Sequence, residues 1–494
     1  MSQAVALPTP EDQLGPPERL HPLYLLTGLG QSVRGAWGLL AGGAVLASQG
    51  RWWLAILLVV GSAIFSTVAL FLRWLKLEYR VGPHEIRIDS GFLNRTSRAI
   101  PFDRVTDVDI EQGPLHRLFG LARVKLETGA SAGGKEEEGV LHTISLERAE
   151  ALREHIRARK GLAPITSATA AVAEGTSLFA MDGQRVLTAG LFNFSLAILA
   201  GLFGVTQTLG DAMGFDPFKP EFWTDLFARS GPIRDVVMAH QIGAALAGSI
   251  LLILIGVGTG LVRTILREHG FRLDRTETGF RRRRGLLTLT DVSIPAKRVQ
   301  AAILANGPVR SAFGWWELKL QSLSQDGGKG DHVVAALARE PEADEILHAL
   351  AWPIAPRSSQ WQPISRAYVT SFVGILLPAA LATAASLPFY GAIGLVWLAG
   401  AALAIGVRWL DWKRTRYALE GPSLFVETGW WRHRRSIVPR VKIQSLDISE
   451  SWWTRLFGIC TLRLGVAGGS GFSDHHVPAL TRVEAETLRT ELLS

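Results

Sequence analysis

A frame of fixed length is written three times in this chain, and that repetition limits what the chain can fold into. The frame opens at Gly91, Gly285 and Gly429 and closes at Gly120, Gly314 and Gly458. Inside it the same residue types fall in step. Ile100-Pro101, Ile294-Pro295 and Val438-Pro439 come first, then a base at Arg104, Arg298 or Lys442, then Val105, Val299 or Ile443. Phe119, Phe313 and Phe457 stand directly before the closing glycines. Self-similarity at a fixed spacing marks a repeated structural unit, but the copies are too widely separated for a solenoid. They are repeated domains.

Each frame stands behind a pair of apolar stretches. Six segments, 24–48, 52–72, 186–209, 236–262, 367–387 and 389–407, approach the length of about 20 mainly apolar residues that a membrane helix needs. Arg34 lies inside the first, near enough to its end to reach the interface. A composition that is 48% hydrophobic and only 19% charged fits a half-embedded protein. The expected plan is a disordered segment 1–20, a hairpin 21–75 and a polar domain 76–160, then a linker 161–185, a hairpin 186–263 and a second domain 264–352. A linker 353–366, a hairpin 367–408 and a third domain 409–494 complete it.

Charge sets the expected orientation. Arg73, Lys76, Arg80, Arg263, Arg267, Arg408, Lys413 and Arg414 crowd the helix ends that lead into the repeated domains. On the other side, loop 210–235 sets Lys219, Arg229 and Arg234 against Asp211, Asp216, Glu221, Asp225 and Asp235. The positive-inside rule therefore places both termini and all three domains in the cytoplasm. The same asymmetry absorbs most of the net charge of +8, so no nucleic-acid partner is expected. A single cysteine, Cys460, excludes an internal disulfide, and no basic segment precedes an apolar core at residues 1–20, so no cleavable signal is expected.

The domains read as short strands followed by a helix. Residues 85–89, 105–110 and 124–128 alternate polar and apolar side chains, the period of half-buried strands. Leu146, Ala149, Leu152 and Ile156 recur at helical spacing behind them, as do Ala343, Ile346, Leu347 and Leu350 in the second copy. A bent antiparallel sheet closed by an amphipathic helix satisfies this pattern. In that reading Phe119 and its counterparts, with the shared glycines, serve turns and core.

The pattern Tyr79, Gly91, Ile100-Pro101, Arg104-Val105, Leu118-Phe119-Gly120, Val124 and Leu126, set behind two spans, resembles the bacterial pleckstrin-homology-like (PH-like, bPH2, formerly DUF304) domain. Three such units resemble the three-copy type of the YdbS/YdbT family of membrane proteins. The resemblance implies membrane α-helical hairpins plus three β-rich PH-like domains, each a bent antiparallel sheet of about seven strands with a C-terminal helix. It implies no reaction and no cofactor. It implies a non-enzymatic scaffold of the bacterial cytoplasmic (inner) membrane that binds lipid headgroups or a partner protein, in envelope stress or antimicrobial tolerance. The implied partners are membrane lipid and a smaller, single-repeat YdbS-like membrane protein. The second copy departs most, with Phe271 near where Tyr79 and Tyr417 stand and Trp315-Trp316 after its closing glycine.

Basic clusters beside the opening glycines are the candidate headgroup contacts: Arg281, Arg282, Arg283 and Arg284, then Arg432, Arg434 and Arg435, with Arg95 and Arg98 sparser in the first copy. Alternate residues of a strand share one face, so Arg282 with Arg284, or Arg432 with Arg434, are placed to meet neighbouring phosphates. Trp430, beside the third cluster, is the candidate for dipping into the bilayer; its neighbour Trp431 faces the other way. Asp474, His475 and His476 read as a solvent-facing loop and not a metal site, and Glu136, Glu137 and Glu138 as a solvated hairpin tip. Phosphate-binding loops with lysine, His-Glu-x-x-His, Gly-x-Ser-x-Gly and Cys-x-x-Cys are all missing, so no catalytic residue, enzyme activity or metal is expected. The alternative is a lipid-handling or export protein with a path between the hairpins.

Overall fold

A computed structural model describes residues 15–28, 42–43, 46–47, 49–90, 96–128, 139–159, 177–193, 240–326, 329–356, 361–468 and 475–493. Four helices among them are long and apolar enough to cross a membrane: α1 (Trp52–Lys76), α5 (Gln241–Glu268), α8 (Ala367–Tyr390) and α9 (Ala392–Arg414). Helices are the expected solution there, since a lipid-facing segment must satisfy its own backbone hydrogen bonds. Large apolar side chains such as Phe65, Leu254 and Trp397 point outward from them. The expected spans 24–48 and 186–209 lie largely outside the described residues, as do Arg34, Gly91, Arg95, Glu136, Glu137, Glu138 and Asp474. The described part of the latter span belongs to α4 (Gly183–Leu191), which starts at an Asp182 cap whose side chain accepts from the Arg185 amide.

Among the described residues seven strands build each domain. The first contains β1 (Glu18–Arg19), β2 (Glu78–Val81), β3 (Glu85–Ser90), β4 (Thr96–Pro101), β5 (Val105–Gln112), β6 (Leu121–Thr128) and β7 (Val140–Ser145). Its short helix α2 (Pro114–Leu118) precedes β6, and α3 (Leu146–Arg159) closes it. The second contains β8 (Ser177–Ala180), β9 (Arg272–Thr276), β10 (Gly279–Arg284), β11 (Leu289–Pro295), β12 (Val299–Asn306), β13 (Trp316–Asp326) and β14 (Lys329–Ala338), with α6 (Pro308–Ala312) and α7 (Glu340–His348). The third contains β15 (Gln362–Pro363), β16 (Arg416–Glu420), β17 (Ser423–Thr428), β18 (His433–Pro439), β19 (Ile443–Ser449), β20 (Ile459–Val466) and β21 (His475–Thr481), with α10 (Trp452–Leu456) and α11 (Arg482–Leu493). The closing glycines Gly120, Gly314 and Gly458 all sit at positive φ, 63°, 69° and 66°, which explains why each frame ends on glycine.

The domain boundaries differ from the sequence plan in one consistent way. Each domain's first strand precedes its membrane hairpin: Glu18 faces Tyr79, Phe179 faces Leu273 and Gln362 faces Tyr417. Segment 1–20 and the linkers 161–185 and 353–366 thus each contain a strand. Strands of two to four residues are too short to show a period. The hairpin is tied to them, for Trp74 Nε1 donates to the Leu20 carbonyl at 2.9 Å and Trp412 Nε1 to that of Ile364 at 3.0 Å.

Sheets do not respect the domains either. The four sheets run β1-β2-β3-β4, β7-β6-β5-β11-β10-β9-β8, β14-β13-β12-β18-β17-β16-β15 and β19-β20-β21. The second half of one domain is therefore hydrogen-bonded, through its fifth strand, to the fourth strand of the next. At the first seam Leu289, Thr290 and Asp291 face Gln112, Glu111 and Ile110. At the second His433, Arg434, Arg435, Ser436 and Ile437 face Asn306, Ala305, Leu304, Ile303 and Ala302. Counted within their frames, the two seams have the same register.

The cores follow the sheets. Ala418, Phe425 and Ile437 of the third domain lie in one buried cluster with Ala302, Leu304 and Leu318 of the second. Phe425 and Ile437 are fully buried, each worth about 1.5–3 kcal/mol against exposure. Seam and core are one packing unit.

Candidate membrane-surface site

The basic clusters fold largely inward. Arg282 and Arg284 share one face of β10, as alternation requires, but it is the buried face. Arg282 Nη1 donates to the Val333 carbonyl at 3.1 Å, and Arg284 Nη1 donates to both Glu268 carboxylate oxygens at 3.0 and 3.2 Å. Arg281 Nε and Nη2 grip Asp291 at 2.8 and 2.5 Å. Burial alone would raise the Asp291 pKa, but Arg153, Arg281 and Arg283 hold it well below the usual carboxylate range. Arg435 donates from Nε to Glu427 at 2.8 Å and from Nη1 to Glu340 at 3.0 Å. Burial likewise opposes the Glu427 charge, and hydrogen bonds from His433, Arg416 and Arg435 nevertheless lower its pKa to about 2. Arg434 is half-buried and donates to Ser436 Oγ at 3.2 Å. Arg283 and Arg432 are the exposed members of the two clusters.

Trp430 and Trp431 lie in the turn between β17 and β18 and not on a strand, so their division is not one of strand alternation. Trp430 is half-buried and its amide donates to Asp411 Oδ1 at 3.0 Å, while Trp431 is 62% exposed. His475 corrects the solvent-facing reading, because it lies buried on β21 with Nε2 2.7 Å from Gln321 Oε1. The Gln321 amide nitrogen donates to the carbonyls of Ala467 and Gly468, so its oxygen accepts and His475 Nε2 carries the proton. Burial, then the nearby Arg434 and His476, depress the His475 pKa to about 3.

The frame's closing Phe-Gly is not core in the first two domains. Phe119 is 51% and Phe313 60% exposed, each just after its short helix, α2 or α6. The Phe313 ring lies 5.7 Å from Phe192, and Arg310 Nη2 donates to Asn193 Oδ1 at 2.7 Å. Asn193 Nδ2 in turn donates to Thr264 Oγ1 on α5 at 2.9 Å. In the third domain Trp453 Nε1 donates to the Ser371 carbonyl of α8 at 3.0 Å, and a Cβ at Gly374 would lie 2.9 Å from Phe457 Cζ. The short helices α6 and α10 are feet that stand on the membrane hairpins. Leu118, Val309, Trp452 and Leu456 remain exposed on α2, α6 and α10, an apolar presentation suited to an interface.

Between the third domain's foot and the third hairpin lies a cavity of about 480 Å³. Its walls include Tyr368 and Ser371 near the start of α8, Arg408 near the end of α9, and Thr454, Arg463 and His476 from the domain. Arg408 Nη1 donates to Tyr368 Oη at 2.8 Å with its guanidinium 3.4 Å from the ring centre, and Tyr368 Oη donates to Asp411 Oδ2 at 2.6 Å. This network fixes Arg408 across the two helices. Arg463 projects from β20 on the opposite wall, exposed. Two guanidiniums, a histidine and several hydroxyls face a polar hollow near where the spans end, together with the Asp411 carboxylate that Tyr368 holds; the guanidiniums and hydroxyls are donors suited to a phosphate. Sequence reasoning missed Arg463 because it stands alone between apolar neighbours. It counted Arg408 only as a topology signal.

A family model described as Bacterial PH domain matches residues 24–160, 230–352 and 372–494. The UPF0699 transmembrane protein YdbT of Bacillus subtilis (strain 168) is 23% identical over 290 residues, which cover 56% of this chain and 55% of that protein. The UPF0699 transmembrane protein YdbS of the same organism is 37% identical over 78 residues, 16% of this chain and 45% of that protein. The matches span about half the length of each relative. No solved structure matches the chain.

Proposed function

Because the chain belongs to the bacterial PH domain family, three copies of which it carries on membrane helices, we propose that it is a non-enzymatic membrane scaffold whose domains hold anionic lipid headgroups. The domains face the cytoplasm across the bacterial inner membrane, as the basic helix ends Arg73, Lys76, Arg267, Lys413 and Arg414 support. Envelope stress is the setting this reading suits, since a scaffold bound to headgroups responds when the leaflet's charge changes.

One observation carries the reading: the polar cavity bounded by Arg408 and Arg463 at the membrane end of the third domain. A phosphodiester there meets two cations without disturbing the Tyr368–Asp411 hydrogen bond, and the exposed Arg283 and Arg432 add to the basic surface. Near an anionic leaflet each base contributes about 1 kcal/mol, or roughly a fivefold change in occupancy.

The test uses the full-length protein in nanodiscs of mixed phosphatidylcholine and phosphatidylglycerol, with bound lipid read by native mass spectrometry. Wild type should retain phosphatidylglycerol preferentially. Arg463→Gln, on the exposed wall, should lose that preference roughly fivefold without loss of fold, and Arg408→Gln should lose more. Equal phosphatidylglycerol retention by wild type and both variants would sink the assignment.

A further inference from the structure

The two internal seams predict a third. Among the described residues β4 and β19 each pair on one side only, whereas their counterparts at the seams, β11 and β18 or β5 and β12, pair on both. Exposure follows. β12 is buried almost throughout, while Gln444, Ser445 and Asp447 of β19 are exposed. β18 is buried from Arg435 to Pro439, whereas Thr96, Ser97 and Ala99 of β4 are exposed. A long unpaired strand edge is a template for another strand. Here each end of the molecule offers the half of a seam that the other end lacks.

The geometry points to a second copy of this chain as the occupant, with β19 of one copy pairing antiparallel to β4 of the next. The register is fixed by the two seams already formed. Carried to the ends, it sets Thr96 opposite Ser449, Ser97 opposite Ile448, Arg98 opposite Asp447 and Ala99 opposite Leu446. Directly opposed residues share a face of the sheet. Arg98 meeting Asp447 is therefore a cross-strand ion pair, and Ala99 covers Leu446, which packs half-buried on the third domain's core. Both contacts join this chain's own two ends, which is why a second copy fits them.

Such head-to-tail contacts are heterologous, so they build rings if the rotation closes and filaments if it does not. This inference uses strand edges and not the cavity, although Asp447 stands directly across from Arg463 on β20, so Arg98→Glu, remote from the cavity, is the variant that separates the two readings.

Charge exchange tests it on the full-length protein in detergent by sedimentation velocity. Wild type should associate with rising concentration. Arg98→Glu alone sets two carboxylates against each other at the seam, and Asp447→Arg alone sets two guanidiniums there, so each should associate roughly tenfold or more weakly. Mixing the two variants sets the introduced glutamate opposite the introduced arginine at one seam and the native Arg98 opposite the native Asp447 at the next. Assembly should return to within about twofold of wild type. Restoration also shows that neither variant has misfolded. A second measurement uses Thr96→Cys with Ser449→Cys in a Cys460→Ser background, where oxidation in native membranes should give a ladder of multiples of this chain. Wild type monomeric at every concentration, assembly indifferent to Arg98→Glu, or disulfide adducts only to a smaller single-domain protein would each overturn the second copy as occupant.

Discussion

Asp291 and Arg435 occupy the same place in their frames and carry opposite charges. Asp291 receives Arg153 from the first domain's closing helix at 3.3 Å, whereas Arg435 reaches Glu340 on the second domain's closing helix at 3.0 Å. Backbone pairing would let any fourth strand join any fifth. The reversed polarity discourages the wrong neighbour, since Arg435 at the first seam would face Arg153. These groups also set the response to acid. Glu427 has a folded pKa of about 2, below its unfolded value, so its contribution is present above the ordinary carboxylate range and is lost as pH falls toward 2. His475, with a folded pKa of about 3, contributes fully above its unfolded value near 6.5 and loses that contribution as pH falls from there toward 3. The windows differ. Of these two groups only His475 titrates between pH ~6.5 and ~4.5, at about 1.4 kcal/mol per pH unit. His475→Gln, which keeps a donor for Gln321, should therefore flatten the fall in unfolding temperature of the second and third domains across that window. The same slope in both proteins would show that His475 is not the titrating group.

At the scale of elements, what could be read in the sequence depended on length and on whether burial was local. β6, with alternating Val124, Leu126 and charged residues, declares itself, as does α11, whose Thr481 and Glu484 exchange capping hydrogen bonds at 2.8 and 3.3 Å. β1, β8 and β15 were hidden in what read as tail and linkers, because so few residues carry no period. The basic clusters were legible as clusters, but the partners that turn them inward stand on other elements: Asp291 and Glu427 on the neighbouring strands β11 and β17, Glu268 on α5 and Glu340 on α7 of the preceding domain. The feet were hidden for the converse reason: Phe313 has the look of core, and only Phe192 beside it gives its exposure a purpose. Gly374 marks where the third domain's foot stands. A side chain there would begin 2.9 Å from Phe457 and 3.1 Å from Trp453, tighter than packed groups tolerate. Gly374→Val should lift α10 from α8 at a cost of about 1–3 kcal/mol, red-shift tryptophan emission and speed hydrogen exchange over 452–458. Gly400 has nothing within 4 Å of its would-be Cβ, so Gly400→Val serves as the silent control. Equal spectra for both variants would mean that the foot is not docked there.

For the whole molecule, the seams matter more than the domain count. Three PH-like units on flexible linkers would unfold one by one, each with its own core. Here Phe425 and Ile437 of the third domain are buried with Leu304 and Leu318 of the second, and β12 bonds on one edge to β13 and on the other to β18. Breaking β12 should therefore damage two domains at once. Leu304→Pro removes a backbone donor from this central strand and displaces a fully buried side chain opposite Arg435, a loss of about 3 kcal/mol or more. Hydrogen exchange in detergent should then show protection falling in β13 and also in β16, β17 and β18. Strands β2, β3 and β4 belong to the other end of the molecule and share neither sheet nor core with β12, so they should keep theirs. Loss confined to the second domain would mean that the seam is a contact between independent units. Loss spreading to β18 would mean that the row of domains is a single mechanical piece, able to carry a pull on one hairpin to the next.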